Sequence, residues 1–232
     1  MDIQVLASGS KGNCYRVDDG TTPILLECGI GYRDIQKATG FGVRHLKGCL
    51  VTHEHMDHAK AVAGLLRSMV PVYMSRGTKE ALGIDHYDIR VVEHNQQFKV
   101  GSWTIKAFET KHDAAEPLGF LLLSSTGKKL LYATDTFYLE EKFRDVTHLM
   151  IECNYAEDIL EQNFKSGSVE KSRKDRLYSS HFNLRRLKEF IRANTWTRLE
   201  EVHLIHLSDE NSDAERFKRE IAELTGVPVY VA

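Results

Sequence analysis

The densest group of chemically active side chains is the run His53-Glu54-His55-Met56-Asp57-His58, which holds three histidines and an aspartate. The apolar residues 49–52 before it predict a short buried strand, and residues 59–66 after it predict a helix with one apolar face. Such a turn can direct several side chains toward one point. The plain alternative is a polar turn whose histidines occur by chance, and four ligand-type side chains in six residues argue against it.

The spacing within this run suits metal binding. Residues two apart at a strand end share a face, so His53 and His55 can chelate one ion. Asp57 and His58 fall where the helix begins and can reach a second ion. Imidazole and carboxylate ligands suit Zn²⁺ and also the harder Mn²⁺, so the run predicts two divalent ions of either kind.

A two-metal site needs more ligands than one turn supplies, and these should follow later strands. Three residues do so: His112, Asp135 and His206. Taken alone, Asp135 is better explained as a turn or cap residue. Its place in an ordered set of ligands favours a role at the metals instead.

Composition limits the class of protein. The chain has 232 residues, 42% apolar and 28% charged, which predicts one globular domain over residues 1–232. A formal net charge of −2 excludes overall basicity, so contact with nucleic acid would need a local basic patch. We expect no signal peptide and no membrane span. Four scattered cysteines predict reduced core residues in a cytoplasmic protein.

The order of predicted elements indicates an α/β class. Antiparallel strands occupy residues 3–28, and β-α-β units follow to about residue 109. A hairpin at 119–133 and alternating strands and helices complete the chain. Residues 164–178 are polar, with Gly, Ser and many charges, and they predict a mobile loop. The oligomeric state stays open, a homodimer included.

The other histidines are expected to lie outside the metal site. His45, His86, His94 and His148 have polar or turn-like neighbours, which predicts surface positions. His203 lies three residues before His206 on the same predicted strand, so the two side chains should point to opposite faces.

The pattern H-x-H-x-D-H, followed by the later His and Asp residues in order, resembles the signature of the metallo-β-lactamase superfamily. This resemblance implies a four-layer αββα sandwich with two metal ions. It assigns His53, His55 and His112 to the first metal. It assigns Asp57, His58 and His206 to the second metal. It makes Asp135 the bridging carboxylate.

Several runs also resemble the YycJ (WalJ)-like subfamily, for which 5′-3′ exonuclease activity on DNA is the best-supported reading. These runs are Leu6–Asn13, Val51–His55, His112-Asp113-Ala114-Ala115-Glu116-Pro117, Ala133–Thr136 and His206–Asn211. The chain departs from that subfamily at two places. Tyr155 stands where the subfamily has a His, and His181 lacks its usual neighbours. These departures affect substrate handling and leave the metal ligands alone.

His181 is the main non-ligand candidate, because the resemblance keeps it and basic residues surround it. Arg173, Lys174 and Arg176 could bind phosphate, while His181 could protonate the leaving oxygen. A solvated helix face with an incidental His is the alternative. The turn at 8–13 could place Ser10 and Asn13 near the substrate, although a tight hairpin needing Gly explains it as well.

Two ions bridged by Asp135 and a solvent oxygen would lower the pKa of that water, and the resulting hydroxide would attack phosphorus. Asp57 would orient this nucleophile and hold its proton, so Asp57 and His181 are the predicted catalytic residues. The predicted function is a phosphodiesterase cleaving DNA or RNA. The alternatives are a cyclic-nucleotide phosphodiesterase and a metal-loaded nucleic-acid-binding module without turnover. Activity on nucleic acid should weaken steeply with salt, and this dependence distinguishes a nuclease from a cyclic-nucleotide phosphodiesterase.

Overall fold

The computed structural model describes residues 1–232 as two compact units. The first unit comprises Met1–Glu109 and Ala114–Lys128, and the second comprises Thr110–Asp113 and Lys129–Ala232. None of the helices combines the length and the apolarity that crossing a membrane requires. The prediction of one domain over residues 1–232 stays a prediction.

The first unit begins with antiparallel strands and continues with strands joined by helices. Its elements are β1 (Asp2–Ala7), β2 (Cys14–Asp18), β3 (Pro23–Leu26), α1 (Tyr32–Ala38), β4 (Cys49–Leu50), α2 (Met56–Ala59), α3 (Val62–Arg67), β5 (Val72–Met74), α4 (Arg76–Leu82), β6 (Ile89–Val91), β7 (Gln97–Val100), β8 (Trp103–Glu109) and β9 (Leu118–Leu123).

These strands form a six-stranded sheet in the order β1-β2-β3-β4-β5-β6 and an antiparallel ribbon, β7-β8-β9. The first three strands of the sheet are antiparallel and the rest are parallel. The side chains of Leu25, Cys49 and Val72 lie in one buried cluster, which explains the apolar sequence of β3 to β5. The carboxyl end of β4 leads directly to the histidine-rich turn.

The second unit alternates strands and helices. Its elements are β10 (Lys129–Ala133), β11 (His148–Glu152), α5 (Glu157–Lys165), α6 (Lys171–Ser180), α7 (Leu184–Ala193), β12 (Glu201–Ile205), α8 (Ala214–Thr225) and β13 (Val229–Val231). The four strands are parallel, and Ala133 pairs with Ile151 while Glu152 pairs with Ile205. This register brings the residues after β10, β11 and β12 to the same edge.

The predicted mobile loop at 164–178 is wrong. Helix α5 extends to Lys165, and α6 begins at Lys171. The segment folds because Val169 forms a small buried cluster with Tyr155 and Leu160. The side chains of Leu177 and Tyr178 pack against this cluster. Apolar residues are few along α6, so its periodicity is weak, and packing on α5 decides its structure.

The helix predicted over residues 59–66 starts earlier and is interrupted. Helix α2 begins at Met56, and the amide of Ala61 donates to the carbonyl of Cys28 at 2.9 Å before α3 begins. This bond diverts the chain between the two helices.

The prediction of a surface position is also wrong for His148. This residue lies buried on β11, between β10 and β12, with Nδ1 2.8 Å from Thr147 Oγ1. A polar residue at the first position of a central strand is buried by both neighbouring strands. His45 and His94 are exposed and His86 is half-buried. His203 contacts Glu201 and stacks on Tyr230, as the predicted alternation requires.

Candidate metal centre

The histidine-rich turn of the first unit draws its predicted ligands close together. His53 Nε2 lies 3.1 Å from His55 Nδ1, and the rings of His53 and His58 are 4.1 Å apart. His58 Nε2 lies 3.5 Å from Asp57 Oδ2. Two nitrogens bound to one tetrahedral Zn²⁺ lie about 3.4 Å apart, given Zn–N bonds of about 2.1 Å. These donors therefore fit a divalent ion.

The turn at residues 8–13 holds the Asp57–His58 backbone in place. The amide of Asn13 donates to Asp57 O at 2.7 Å, and its side-chain Nδ2 lies 3.3 Å from His58 Nε2. Asn13 Oδ1 accepts the amide of Gly9 at 2.9 Å. Asn13 is fully buried and Ser10 is exposed. The contacts of Asn13 position the ligand turn, and the substrate-binding role of both residues stays a prediction.

Gly29 allows this close approach. A Cβ at Gly29 would lie 1.7 Å from the carbonyl oxygen of Asp57. We expect Gly29→Ala to lower the free energy of unfolding by about 3 kcal/mol or more, because backbone must move to relieve the clash. Urea unfolding measures this change. Gly31→Ala is the control, since its Cβ would meet only the mobile end of Asp34 at 2.8 Å. Equal losses in the free energy of unfolding for Gly29→Ala and Gly31→Ala would show that the approach to the Asp57 backbone does not require glycine.

Buried partners orient the histidines of this turn. Thr52 Oγ1 lies 2.8 Å from His53 Nδ1, and Glu27 Oε2 lies 3.7 Å from His58 Nδ1. The amide of Thr52 donates to the same Glu27 oxygen at 3.3 Å. Carboxylates and hydroxyls behind ligating histidines fix the ring orientation. Sequence reasoning missed Glu27, although an acid at the end of the apolar strand Ile24-Leu25-Leu26 was a usable signal.

The second unit gathers the other predicted ligands at the carboxyl ends of β10 and β12. Asp135 Oδ1 lies 3.1 Å from His206 Nδ1, and Asp135 Oδ2 lies 3.6 Å from His112 Nε2. His112 Nδ1 faces the carbonyl of Ser180 at 3.2 Å. Asp135 and His206 have φ values of 46° and 54°, in the left-handed region that costs energy for non-glycine residues. The fold holds this conformation at the predicted ligands.

Glu152 is a candidate functional residue of this unit that sequence reasoning missed. Its Oε1 lies 2.6 Å from His181 Nδ1 and 2.8 Å from His206 Nδ1. Its Oε2 accepts the amides of Thr136 at 3.2 Å and Phe182 at 3.0 Å. Glu152 is completely buried. The signal available in sequence was an acid that ends the apolar run Leu149-Met150-Ile151.

The Glu152–His181 pair shifts the pKa of both partners. Burial raises the pKa of Glu152, but the charge and hydrogen bond of His181 outweigh it and leave the pKa below its usual value. Burial lowers the pKa of His181. The charge and hydrogen bond of Glu152 and the charge of Asp135 raise it by more than burial lowers it, so the net shift of the pKa is upward. The Glu152 carboxylate thereby favours the charged form of His181.

Asp135, Glu152, His181 and His206 each offer a ligand-type atom, and these atoms lie within 4.8 Å of one another. Imidazole nitrogens and carboxylate oxygens are ligands that Zn²⁺ and Mn²⁺ accept. The predicted ligands of this group, Asp135 and His206, therefore fit a divalent cation, and Glu152 and His181 lie beside them.

The three basic residues predicted to bind phosphate differ in their surroundings. Arg173 pairs with Glu210 at 2.8 Å, and Lys174 pairs with Glu161 at 2.6 Å. Arg176 lines a cleft that also includes His112. The substrate-binding role of all three stays a prediction, and Arg176 has the best position for it.

Tyr155, which replaces a histidine of the resembled subfamily, lies in the core. It is fully buried, packs edge-on against Tyr178, and accepts a 3.4 Å hydrogen bond from Asn183 Nδ2. The replacement therefore serves the packing of α5, α6 and α7 in this chain.

Residues 22–211 match the family model described as the Beta-lactamase superfamily domain, and the chain belongs to this family. The predicted α/β class with the metallo-β-lactamase sandwich is confirmed. The solved structure of the metallo-beta-lactamase fold protein YhfI from Bacillus subtilis aligns with a TM-score of 0.72 and 16% identity, over 99% of this chain and 95% of that chain. Human tRNase Z, short form, aligns with a TM-score of 0.68 and 14% identity, over 100% and 96%.

Two curated relatives carry the name exodeoxyribonuclease. YycJ of Bacillus anthracis is 31% identical over 63% of this chain, and the match spans 58% of that protein. WalJ of Streptococcus pneumoniae is 27% identical over 91% of this chain and 83% of that protein. The predicted resemblance to the YycJ (WalJ)-like subfamily is confirmed. The family and these relatives make the chain a metal-dependent hydrolase.

Proposed function

We propose that the chain is a dinuclear-metal-dependent phosphodiesterase that shortens DNA from an end. The observation that carries the proposal is the buried Glu152–His181 pair, whose imidazole lies 4.0 Å from Asp135 Oδ2. Cleavage of a nucleic acid expels a sugar oxygen that leaves poorly without a proton. An imidazolium beside the predicted ligands supplies that proton, and the YycJ and WalJ relatives support DNA as substrate.

The predicted ligands would hold the two divalent ions of this proposed centre. By the family pattern, His53, His55 and His112 would hold one ion and Asp57, His58 and His206 the other, with Asp135 as a further ligand. Bound divalent ions supply Lewis acidity toward phosphate oxygens and water. The cytoplasm, as the proposed compartment, is supported by four buried free cysteines.

The protein's own residues carry the proton transfers. Asp57 orients the attacking water and accepts its proton, and its carboxylate is half-buried beside His58. Glu152 holds His181 by Nδ1 and keeps it protonated. The other ring nitrogen of His181, Nε2, donates its proton to the leaving sugar oxygen.

The test compares 3′-labelled single- and double-stranded DNA, 3′-labelled RNA of the same sequence and cyclic mononucleotides, each with Mn²⁺ or Zn²⁺. We expect stepwise shortening of DNA that disappears in Asp57→Ala and falls steeply with salt. Turnover of cyclic nucleotides alone would reassign the protein to that class. Salt-sensitive DNA binding without cleavage of any substrate would make it a binding module.

A further inference from the structure

The second unit contains two neighbouring cavities that share Phe137. One, of about 400 Å³, lies between the loop after Asp135 and helix α7. The other is a cleft beside His112. A volume of 400 Å³ falls within the range of small-ligand sites, about 300–1,000 Å³. Since Phe137 follows Asp135 by two residues and Phe182 follows His181 directly, the cavity beside α7 is built on the loops that carry Asp135 and His181.

Aromatic side chains form the wall of this cavity. Phe182 and Phe190 are buried at its base, and Tyr138 is 53% exposed at its edge. The guanidinium of Arg186 lies 5.5 Å from the centre of the Phe137 ring and donates to Phe137 O and Tyr178 O. The amide of Phe137 donates to Lys111 O at 3.2 Å. Phe137 is thus held in place before any ligand arrives, which lowers the cost of binding.

Charge separates the roles of the two cavities. Around the aromatic cavity three acids, Glu140, Glu141 and Glu189, outnumber the cations Lys142 and Arg186, and this excess of negative charge disfavours a phosphate there. The cleft beside His112 carries Lys111 and Arg176 against the single acid Asp113. A nucleotide that bridges them would therefore leave its phosphate in the cleft and its base in the aromatic cavity.

The polar side chain best placed to read a base edge is already engaged. Asn194 Oδ1 accepts the amide of Phe143 at 2.8 Å, and Asn194 Nδ2 donates to Phe190 O at 2.9 Å. Glu189 pairs with Arg185 at 2.8 Å. With these polar groups engaged, the cavity can recognise a base by stacking and not by hydrogen bonds to its edge. Stacking accepts every base because each has a π-face.

We infer that the cavity between Phe137 and α7 is a stacking subsite for the base of the nucleotide next to the cleaved bond, without preference among bases. This inference rests on the proposed phosphodiesterase function and adds its substrate requirement. The ligand class is a nucleotide that carries a base, as opposed to an abasic one. Phe137 is the residue that makes the enzyme require a base.

The test uses single-stranded oligonucleotides that differ only in an abasic tetrahydrofuran unit at the terminal or the penultimate position. For wild-type protein we expect kcat/KM about tenfold higher on the intact strand, the scale of one base–aromatic stack. In Phe137→Leu, which keeps apolar volume without an aromatic ring, this ratio should fall to about one. Tyr87→Leu, at an aromatic that is 75% exposed in the first unit, should retain the wild-type ratio.

A ratio of about one in wild-type protein, or an unchanged ratio in Phe137→Leu, would overturn the subsite. Fluorescence of 2-aminopurine deoxynucleoside 5′-monophosphate tests it without turnover, in chelator-treated protein. We expect quenching by wild-type protein that Phe137→Leu loses, and absence of wild-type quenching overturns the inference. Quenching in a protein that cleaves no oligonucleotide would instead refute the proposed function and leave the subsite standing.

Discussion

Replacing His53 with alanine is expected to remove one divalent ion per chain and to lower DNA hydrolysis about a thousandfold. The side chain of His53 lies 3.1 Å from a nitrogen of His55, and Thr52 already fixes its ring through Nδ1. A Lewis acid contributes several kcal/mol to a transition state that gains charge, and about 4 kcal/mol corresponds to this factor. Inductively coupled plasma mass spectrometry of Zn²⁺-loaded protein measures the ion count.

His45→Ala is the matched control, because His45 is an exposed histidine of the same unit. It should keep both ions and full activity. A third measurement is independent of turnover: added Zn²⁺ should raise the melting temperature of wild-type protein more than that of His53→Ala, since ligands stabilise the state that binds them. His53→Ala protein with an unchanged ion count would remove His53 from the ligand set.

The predicted ligands could be grouped from the sequence because their chemistry is local. His53, His55, Asp57 and His58 lie in one turn, so spacing alone relates them. Asp135 and His206 each follow an apolar strand, and parallel register then brings such positions to one edge. The structure places Asp135 and His206 3.1 Å apart, as a shared edge requires.

The orienting carboxylates could not be predicted as securely, because they act through contacts that are distant in sequence. Glu27 reaches Thr52 and His58, and Glu152 reaches His181 and His206. An acid at a strand end is a common feature with many uses, and only tertiary contact selects these two. The same reason explains helix α6, whose polar sequence hides the few apolar contacts that fix it.

Glu152→Gln is expected to lower kcat on DNA about a hundredfold to a thousandfold while both ions stay bound. General acid catalysis contributes about 10²–10⁴ in rate. The carboxylate stabilises the charged form of His181 across 2.6 Å, and a neutral amide does not. Glutamine also turns an NH₂ group toward one of the donors now satisfied by the carboxylate, so the melting temperature and ion count are measured alongside. Glu157→Gln, which removes an acid paired with Arg185, is the control.

The leaving group distinguishes proton donation from simple structural support. Thymidine 5′-p-nitrophenyl phosphate releases p-nitrophenolate, which departs without a proton, so the defect of Glu152→Gln should shrink to less than about tenfold on this substrate. His181→Ala should show the same pattern, and combining both substitutions should add little, because they remove one function. Equal losses on DNA and on the nitrophenyl ester would show that Glu152 and His181 support the site without protonating the leaving oxygen.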